Sequence, residues 1–271
     1  MIGKAFLHVL VTRFNSPIGD GHPPASEDWL KARVELFRKY ALPSVRSQTI
    51  RPDRWLILCH ADSPSWFVDE IEQLVRGIGE PIWLHRGPSG PLLSELCSPV
   101  GTPYLITTRM DNDDCVAVDF IESIQAQFRE QQMEAINFMS GLQIRDGEVY
   151  AKLDPSNAFI SLIENVGGRN PSTVFMDTHD QLGSHAPLHQ VKTHPMWIQV
   201  VHASNIANTI RGIRTDGRSV GQYFDANIPV NHIGGLRLAM ARGITVATLG
   251  LGILTKPRRL KKLFRSLGGT R

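Results

Sequence analysis

The chain of 271 residues is 42% hydrophobic, 20% charged and 7% aromatic, with a formal net charge of +3. This is soluble globular composition that excludes collagen, coiled coil and wholesale disorder, and the length can bury a full core without a disulfide or metal staple. Seven basic residues and no acid lie between Lys256 and Arg271, which leaves 22 basic against 26 acidic residues elsewhere, so the basic balance marks the end of the chain and not a nucleic-acid-binding body.

The opening MIGKAFLHVLVTRFN reads as a first strand and not as a signal peptide. AFLHVLVT (5–12), RWLILCH (54–60), PIWLH (81–85) and PYLITTRM (103–110) are apolar runs of strand length. Between them, SEDWLKARVELFRKYALPSV predicts a helix capped by Ser26 and closed by Pro43, and SWFVDEIEQLVRGIG predicts one closed at Gly77 or Gly79. The alternation implies a mainly parallel sheet flanked by helices, with ligands gathering at the carboxyl ends of its strands. Beyond residue 115 the pattern predicts a helix over VAVDFIESIQAQFREQQ, a strand at AINFMSG, and a hairpin turning at Asp146-Gly147. Residues 165–195 read as active-site loop. GITVATLGLGIL (243–254) is too short to span a bilayer and reads as a buried segment. Cys59, Cys97 and Cys115 are odd in number and without C-x-x-C spacing, which predicts free thiols and a reducing, cytoplasmic setting.

The sharpest local feature is PYLITTRMDNDDCV, a strand that runs directly into Asp111, Asn112, Asp113 and Asp114. Three carboxylates in four residues repel one another unless a cation compensates, and Mn²⁺ or Mg²⁺ would bind them while leaving positions open for phosphate oxygens. The competing reading is an acidic turn in which Asp113 or Asp114 caps a helix starting near Val116.

TTRMDNDD resembles the D-x-D signature of nucleotide-sugar glycosyltransferases of GT-A fold. The segments LHVLVTRFN, NFMSGLQIRDGEVY, NAFISLIEN and PMWIQVVHASN are similar to those of the bacterial putative rhamnosyltransferase family, over most of residues 5 to 210. The resemblance implies a GT-A-like α/β fold with a small hairpin subdomain, and a donor such as dTDP-rhamnose. It places Asp111 and Asp113 at the metal and the donor, with Asp114 as an extra acid and Asn112 between them. It also places Thr12, Arg13 and Asn15 in the nucleotide pocket and Arg109 beside the diphosphate, although Arg13 and Arg109 read equally well as structural partners of the carboxylates.

An inverting transfer needs a base for the acceptor hydroxyl, and FMDTHDQLG supplies Asp177, His179 and Asp180, of which Asp180 is preferred. In HPMWIQVVHASN, strand alternation puts Trp197 and Gln199 on one face, suited to an acceptor sugar, though a lone Trp is as readily a core residue. His202 is similar to the late histidine that some GT-A enzymes add to the metal shell, with His194 a weaker choice. In KPRRLKKLFRSL, Leu260, Leu263, Phe264 and Leu267 recur at helical spacing among basic residues, the pattern of a helix lying on an anionic membrane or packed on its own domain.

The sequence therefore predicts one domain over 1–255, with a nucleotide-binding half (1–115) and an acceptor half (116–255), followed by a basic tail (256–271). The expected activity is metal-dependent glycosyl transfer in bacterial surface polysaccharide synthesis, in the cytoplasm or at the inner face of the membrane. The rivals are a haloacid-dehalogenase-type phosphatase and a non-catalytic carbohydrate- or membrane-binding protein on the same scaffold.

Overall fold

The computed structural model describes residues 4–99, 101–202, 209–225 and 228–254; the basic tail lies outside them. The first half alternates as expected: β1 (Phe6–Arg13), α1 (Glu27–Lys39), α2 (Ala41–Arg46), β2 (Arg54–His60), α3 (Ser65–Val75), β3 (Glu80–Leu84), α4 (Gly90–Cys97) and β4 (Tyr104–Asp111). The second half adds β5 (Cys115–Val116), α5 (Phe120–Gln125), β6 (Met133–Phe138), β7 (Ser140–Arg145), β8 (Glu148–Leu153), β9 (Ser161–Asn165), β10 (Leu188–Val191), β11 (Trp197–Val200), β12 (Ile213–Thr215), α6 (Arg218–Tyr223) and α7 (Gly235–Leu254).

The main sheet has the order β10-β6-β9-β4-β1-β2-β3. It is parallel except where β9 runs antiparallel between β4 and β6. Strand alternation serves both faces, because Leu10, Trp55, Ile57 and Cys59 enter one apolar cluster with α1 and α3. Val9, Val11, Leu56 and Leu58 enter another with Leu93 and Cys97 of α4. A sheet covered on both sides needs such continuous apolar strands. The three cysteines are buried and free, as expected.

In α1, the Ser26 hydroxyl accepts the Trp29 amide, and Leu30, Val34 and Phe37 form the buried stripe. This helix ends at Tyr40 and not at Pro43; Pro43 sits in the first turn of α2, where a missing amide costs nothing. The long helix expected after residue 115 is shorter: Cys115 and Val116 pair with β11, and α5 starts only at Phe120. Neither Asp113 nor Asp114 therefore caps it. The 243–254 segment is also corrected, because it is the end of α7, where Ile244 and Val246 are exposed.

The second sheet has the order β12-β8-β7-β11-β5. Its β7–β8 hairpin turns at Asp146 (φ 53°) and Gly147 (φ 77°), two left-handed residues of the kind that a two-residue turn of this twist requires. At Gly141 of β7 a Cβ would overlap the Trp197 ring. The indole packs against that bare backbone, stacks on Phe159 at 5.2 Å and donates Nε1–H to the Phe138 carbonyl. Gly141→Ala is expected to cost about 1–3 kcal/mol in chemical denaturation through overpacking.

Buried His8 is held neutral. Its Nδ1 faces the Gln125 amide nitrogen (3.3 Å), which can only donate, so Nε2–H donates to Thr108 Oγ1 (2.9 Å), itself 2.8 Å from Ser161 Oγ. Burial lowers its pKa to about 3, against the pull of Asp53. The unfolded chain takes up a proton below pH 6.5 that native His8 refuses, so stability falls with pH from 6.5 towards 3. The loss should reach roughly 2 kcal/mol by pH 5. His8→Gln should flatten that slope, as read from denaturation midpoints across this range.

Candidate active site at the carboxyl end of β4

β1 and β4 run parallel and in register, so Arg13 and Asp111 end side by side. The next three residues turn the chain into β5 and divide the acids among different partners. Asp113, 5% exposed, accepts from Arg33 of α1 at 2.5 Å and lies 2.8 Å from His202 Nε2. Asp114 is turned inward, its Oδ1 accepting the Val200 amide at 2.9 Å. Asn112 accepts from Arg33 (3.2 Å) and donates to the Phe14 carbonyl (3.2 Å), tying β4 to the chain after β1. Burial raises the Asp111 carboxyl, and Asp113 adds to the effect while Arg109 and Arg13 oppose it. Burial raises Asp114 further, with Asp113 and Asp111 adding to it.

The four expected metal ligands are thus not gathered into one shell. Asp113 and His202 come together, Asp114 is committed to β11, and Asp111 faces Arg109, Arg13 and His179. Among the described residues no group of three or more His, Cys, Asp or Glu side chains is placed to hold a metal ion. A carboxylate beside an imidazole still fits a divalent ion whose remaining positions are filled by substrate phosphate oxygens.

Arg13 and Arg109 share a platform. Their guanidinium carbons lie 4.9 and 5.5 Å from the centre of the Phe175 ring. Burial and the neighbouring Arg109 lower the Arg13 pKa, and Asp111 raises it. Arg109 Nε is buried without a protein partner. Phe175 is set by the fully buried Glu164 of β9, which accepts the Ser172 and Thr173 amides at 3.0 and 2.9 Å, and by Thr107, which accepts the Val174 amide at 2.7 Å. Thr173, in this turn, has φ 61°.

Two cavities flank this stack. One, of about 510 Å³, follows β1 and is lined by Arg13, Phe14, Asn15, His22, Trp29 and Pro88, among others. Its wall is fastened from below: Asn15 accepts the His60 amide and donates to Ser63, and His60 Nε2 lies 2.9 Å from the His22 carbonyl. The other, of about 270 Å³, is lined by Arg109, Asp111, Lys152, Asp154, His179, Trp197 and Gln199, with neighbours from 157–159 and 209–211. The first is of the size of a small-molecule site, and the second lies just under that range with a largely polar lining.

Thr12 does not line the larger cavity; it is wholly buried and accepts the Trp55 indole N–H at 2.9 Å. Of the three candidate bases, His179 lines the smaller of these two cavities. Asp180 is exposed, and Asp177 bonds His185 at 2.8 Å. Burial and Arg109 lower the His179 pKa, keeping the ring neutral, while Asp180, Asp154 and Asp111 pull the other way. Trp197 is both a core residue and a cavity wall, and Gln199 accepts from Gln143 at 2.8 Å. His194 is spent on Asp119 (3.1 Å) and Tyr223 (4.2 Å). The sequence reading missed Arg33, Phe175, Lys152 and Asp154. The Asp154-Pro155-Ser156 turn, where Asp154 accepts the Ser156 amide and pairs with Lys152 at 2.9 Å, was the one legible signal among them.

Among solved structures the chain is similar to HddC from Yersinia pseudotuberculosis, with 11% identity over 71% of this chain and 93% of that one and a TM-score of 0.40. It is also similar to residues 1–349 of S. aureus TarS, solved with UDP, with 12% identity over 73% and 61% and a TM-score of 0.43. The inositol-1-phosphate CTP transferase from T. maritima matches with 10% identity over 76% and 93% and a TM-score of 0.36. No curated protein matches the sequence. The model of the family described as Putative rhamnosyl transferase matches residues 24–214, and the chain belongs to that family of glycosyltransferases.

Proposed function

We propose that the protein transfers a sugar, rhamnose carried by dTDP being the first candidate, from a nucleotide-diphosphate donor to a glycan or lipid-linked acceptor in bacterial surface polysaccharide synthesis. The cytoplasm supplies such donors, and residues 1–115 and 116–255 would serve donor and acceptor respectively. The observation that carries this reading is the acid turn after β4, set between two cavities that the Arg13–Phe175–Arg109 stack separates.

The larger cavity, with Trp29 and Phe14 in its wall, would take the nucleoside, and Arg13, which also lines it, would meet the diphosphate. Arg109, whose Nε has no protein partner, would bond the phosphate oxygens from the other side. A divalent cation, Mn²⁺ or Mg²⁺, would be held by Asp113 and His202 and would neutralise charge on the departing diphosphate. In the smaller cavity the acceptor hydroxyl gives its proton to neutral His179 as its oxygen bonds the anomeric carbon. The bond from that carbon to the phosphate oxygen breaks, and the nucleoside diphosphate leaves with the electron pair. Trp197 and Gln199 position the acceptor ring.

Transfer and nucleoside-diphosphate binding across a panel of nucleotide sugars, with and without Mn²⁺, test the reading. Turnover of dTDP-rhamnose that depends on the metal is expected. If no nucleoside diphosphate binds even with Mn²⁺, the proposal fails.

A further inference from the structure

Strand alternation puts Leu105, Thr107, Arg109 and Asp111 of β4 on one face of the main sheet, and the parallel register sets Val11 and Arg13 of β1 beside the last two. Glu164 of β9 stands opposite Leu105, so its carboxylate lies on that face too. Wholly buried there, it is compensated by the Ser172 and Thr173 amides and by Arg169 at 3.4 Å. Thr107 takes the Val174 amide. Three successive amides are thus spent on two side chains of the sheet, and the next residue, Phe175, brings its ring to Arg13 and Arg109. Among the described residues neither guanidinium hydrogen-bonds or forms an ion pair, and Asp111 acts on both only through space. Burial first and Arg109 second lower the Arg13 pKa, the second being the mark of like charges held close. The electron-rich ring attracts both.

We propose that Phe175 is a positioning residue that holds Arg13 and Arg109 as a pair for the two phosphates of the donor, making the site select a nucleoside diphosphate over the monophosphate. Glu164, through the loop it anchors, sets the ring in place. The proposal rests on the donor reading above. Arg13 lines the larger cavity and Arg109 the smaller, so a donor with its nucleoside in one and its sugar in the other carries both phosphates past the pair. Each guanidinium can then bond one phosphate, and neither has to give up a protein bond to do so. Without the ring, like charge would drive the two apart and leave the second phosphate unread.

Calorimetric titration of the full chain at fixed Mn²⁺, with dTDP against dTMP and UDP against UMP, tests this without any transfer step. Wild type should bind its preferred diphosphate about tenfold or more tightly than the matching monophosphate, the worth of one hydrogen-bonded contact to a charged group. Phe175→Leu keeps apolar bulk but removes the ring, and should cut that ratio to about two- or threefold. Phe175→Tyr keeps the ring and should keep the ratio. Glu164→Gln should lower the ratio in the same direction, and adding Phe175→Leu to it should lower it no further, because both act through one ring. Melting temperature, recorded for each variant, reports separately any loss of packing, which would weaken both nucleotides alike. A wild type that binds both nucleotides equally, a ratio unchanged in Phe175→Leu, or one lost equally in Phe175→Tyr would overturn the proposal and leave the donor reading standing. Failure of wild type to bind any nucleoside diphosphate would overturn both.

Discussion

Asp113→Asn should lower kcat by about 10²–10³ while leaving the protein folded. Asp113 is the point where three separate elements meet: Arg33 from α1, His202 from beyond β11, and the acid turn itself. An amide of the same shape keeps an acceptor for Arg33 but loses the negative charge that a metal ion and His202 would share. Asp113→Ala should lose activity to the same extent and also cost about 3–5 kcal/mol, because it strands the guanidinium of Arg33, 13% exposed, without its carboxylate. Measuring transfer and denaturation side by side separates the two roles. Activity in Asp113→Asn near that of wild type would remove this residue from the reaction.

His179→Ala should lower kcat by about 10²–10⁴, the range for a lost general base. The pH profile makes the test specific. A base works when unprotonated, and burial with Arg109 alongside lowers the His179 pKa. Wild-type kcat/KM should therefore hold as pH falls through 6.5 and decline only below the ordinary histidine range. In His179→Ala that acid limb should vanish. Asp180→Asn and Asp177→Asn should keep both the rate and the limb, because neither carboxylate reaches the cavity. Retention of the limb in His179→Ala would move the role to a carboxylate of the same cavity, Asp154 or Asp111.

The strands and the cap of α1 were legible because their signals are local: apolar runs between turn residues, and Ser26 ahead of an i, i+4, i+7 stripe. The acid turn was legible for the same reason. What escaped depends on pairing between distant residues. Val116 read as helix because its strand partner Trp197 lies some eighty residues on. Phe175 has no motif of its own and matters only because Glu164 and Thr107 fix its loop beneath Arg13 and Arg109. Asp180 and His179 are neighbours in sequence, and only the path of the loop decides which of them meets the cavity. The end of α7 looked buried because its composition is apolar, and composition does not say which face has a neighbour.

The placing of β11 between β7 and β5 sets an order of assembly. The larger cavity is walled almost wholly by residues 13–29, neighbours along the chain, and is fastened from outside that stretch through His60. The smaller cavity has in its wall Trp197, which must pass some fifty residues back to find Gly141 and then pair with Val116 on its other edge. Pairings across such separations form late, after loop-closure entropy has been overcome. The wall at residues 13–29 should therefore order ahead of the one built on β11, so amide protection during refolding is expected in residues 13–29 before β11.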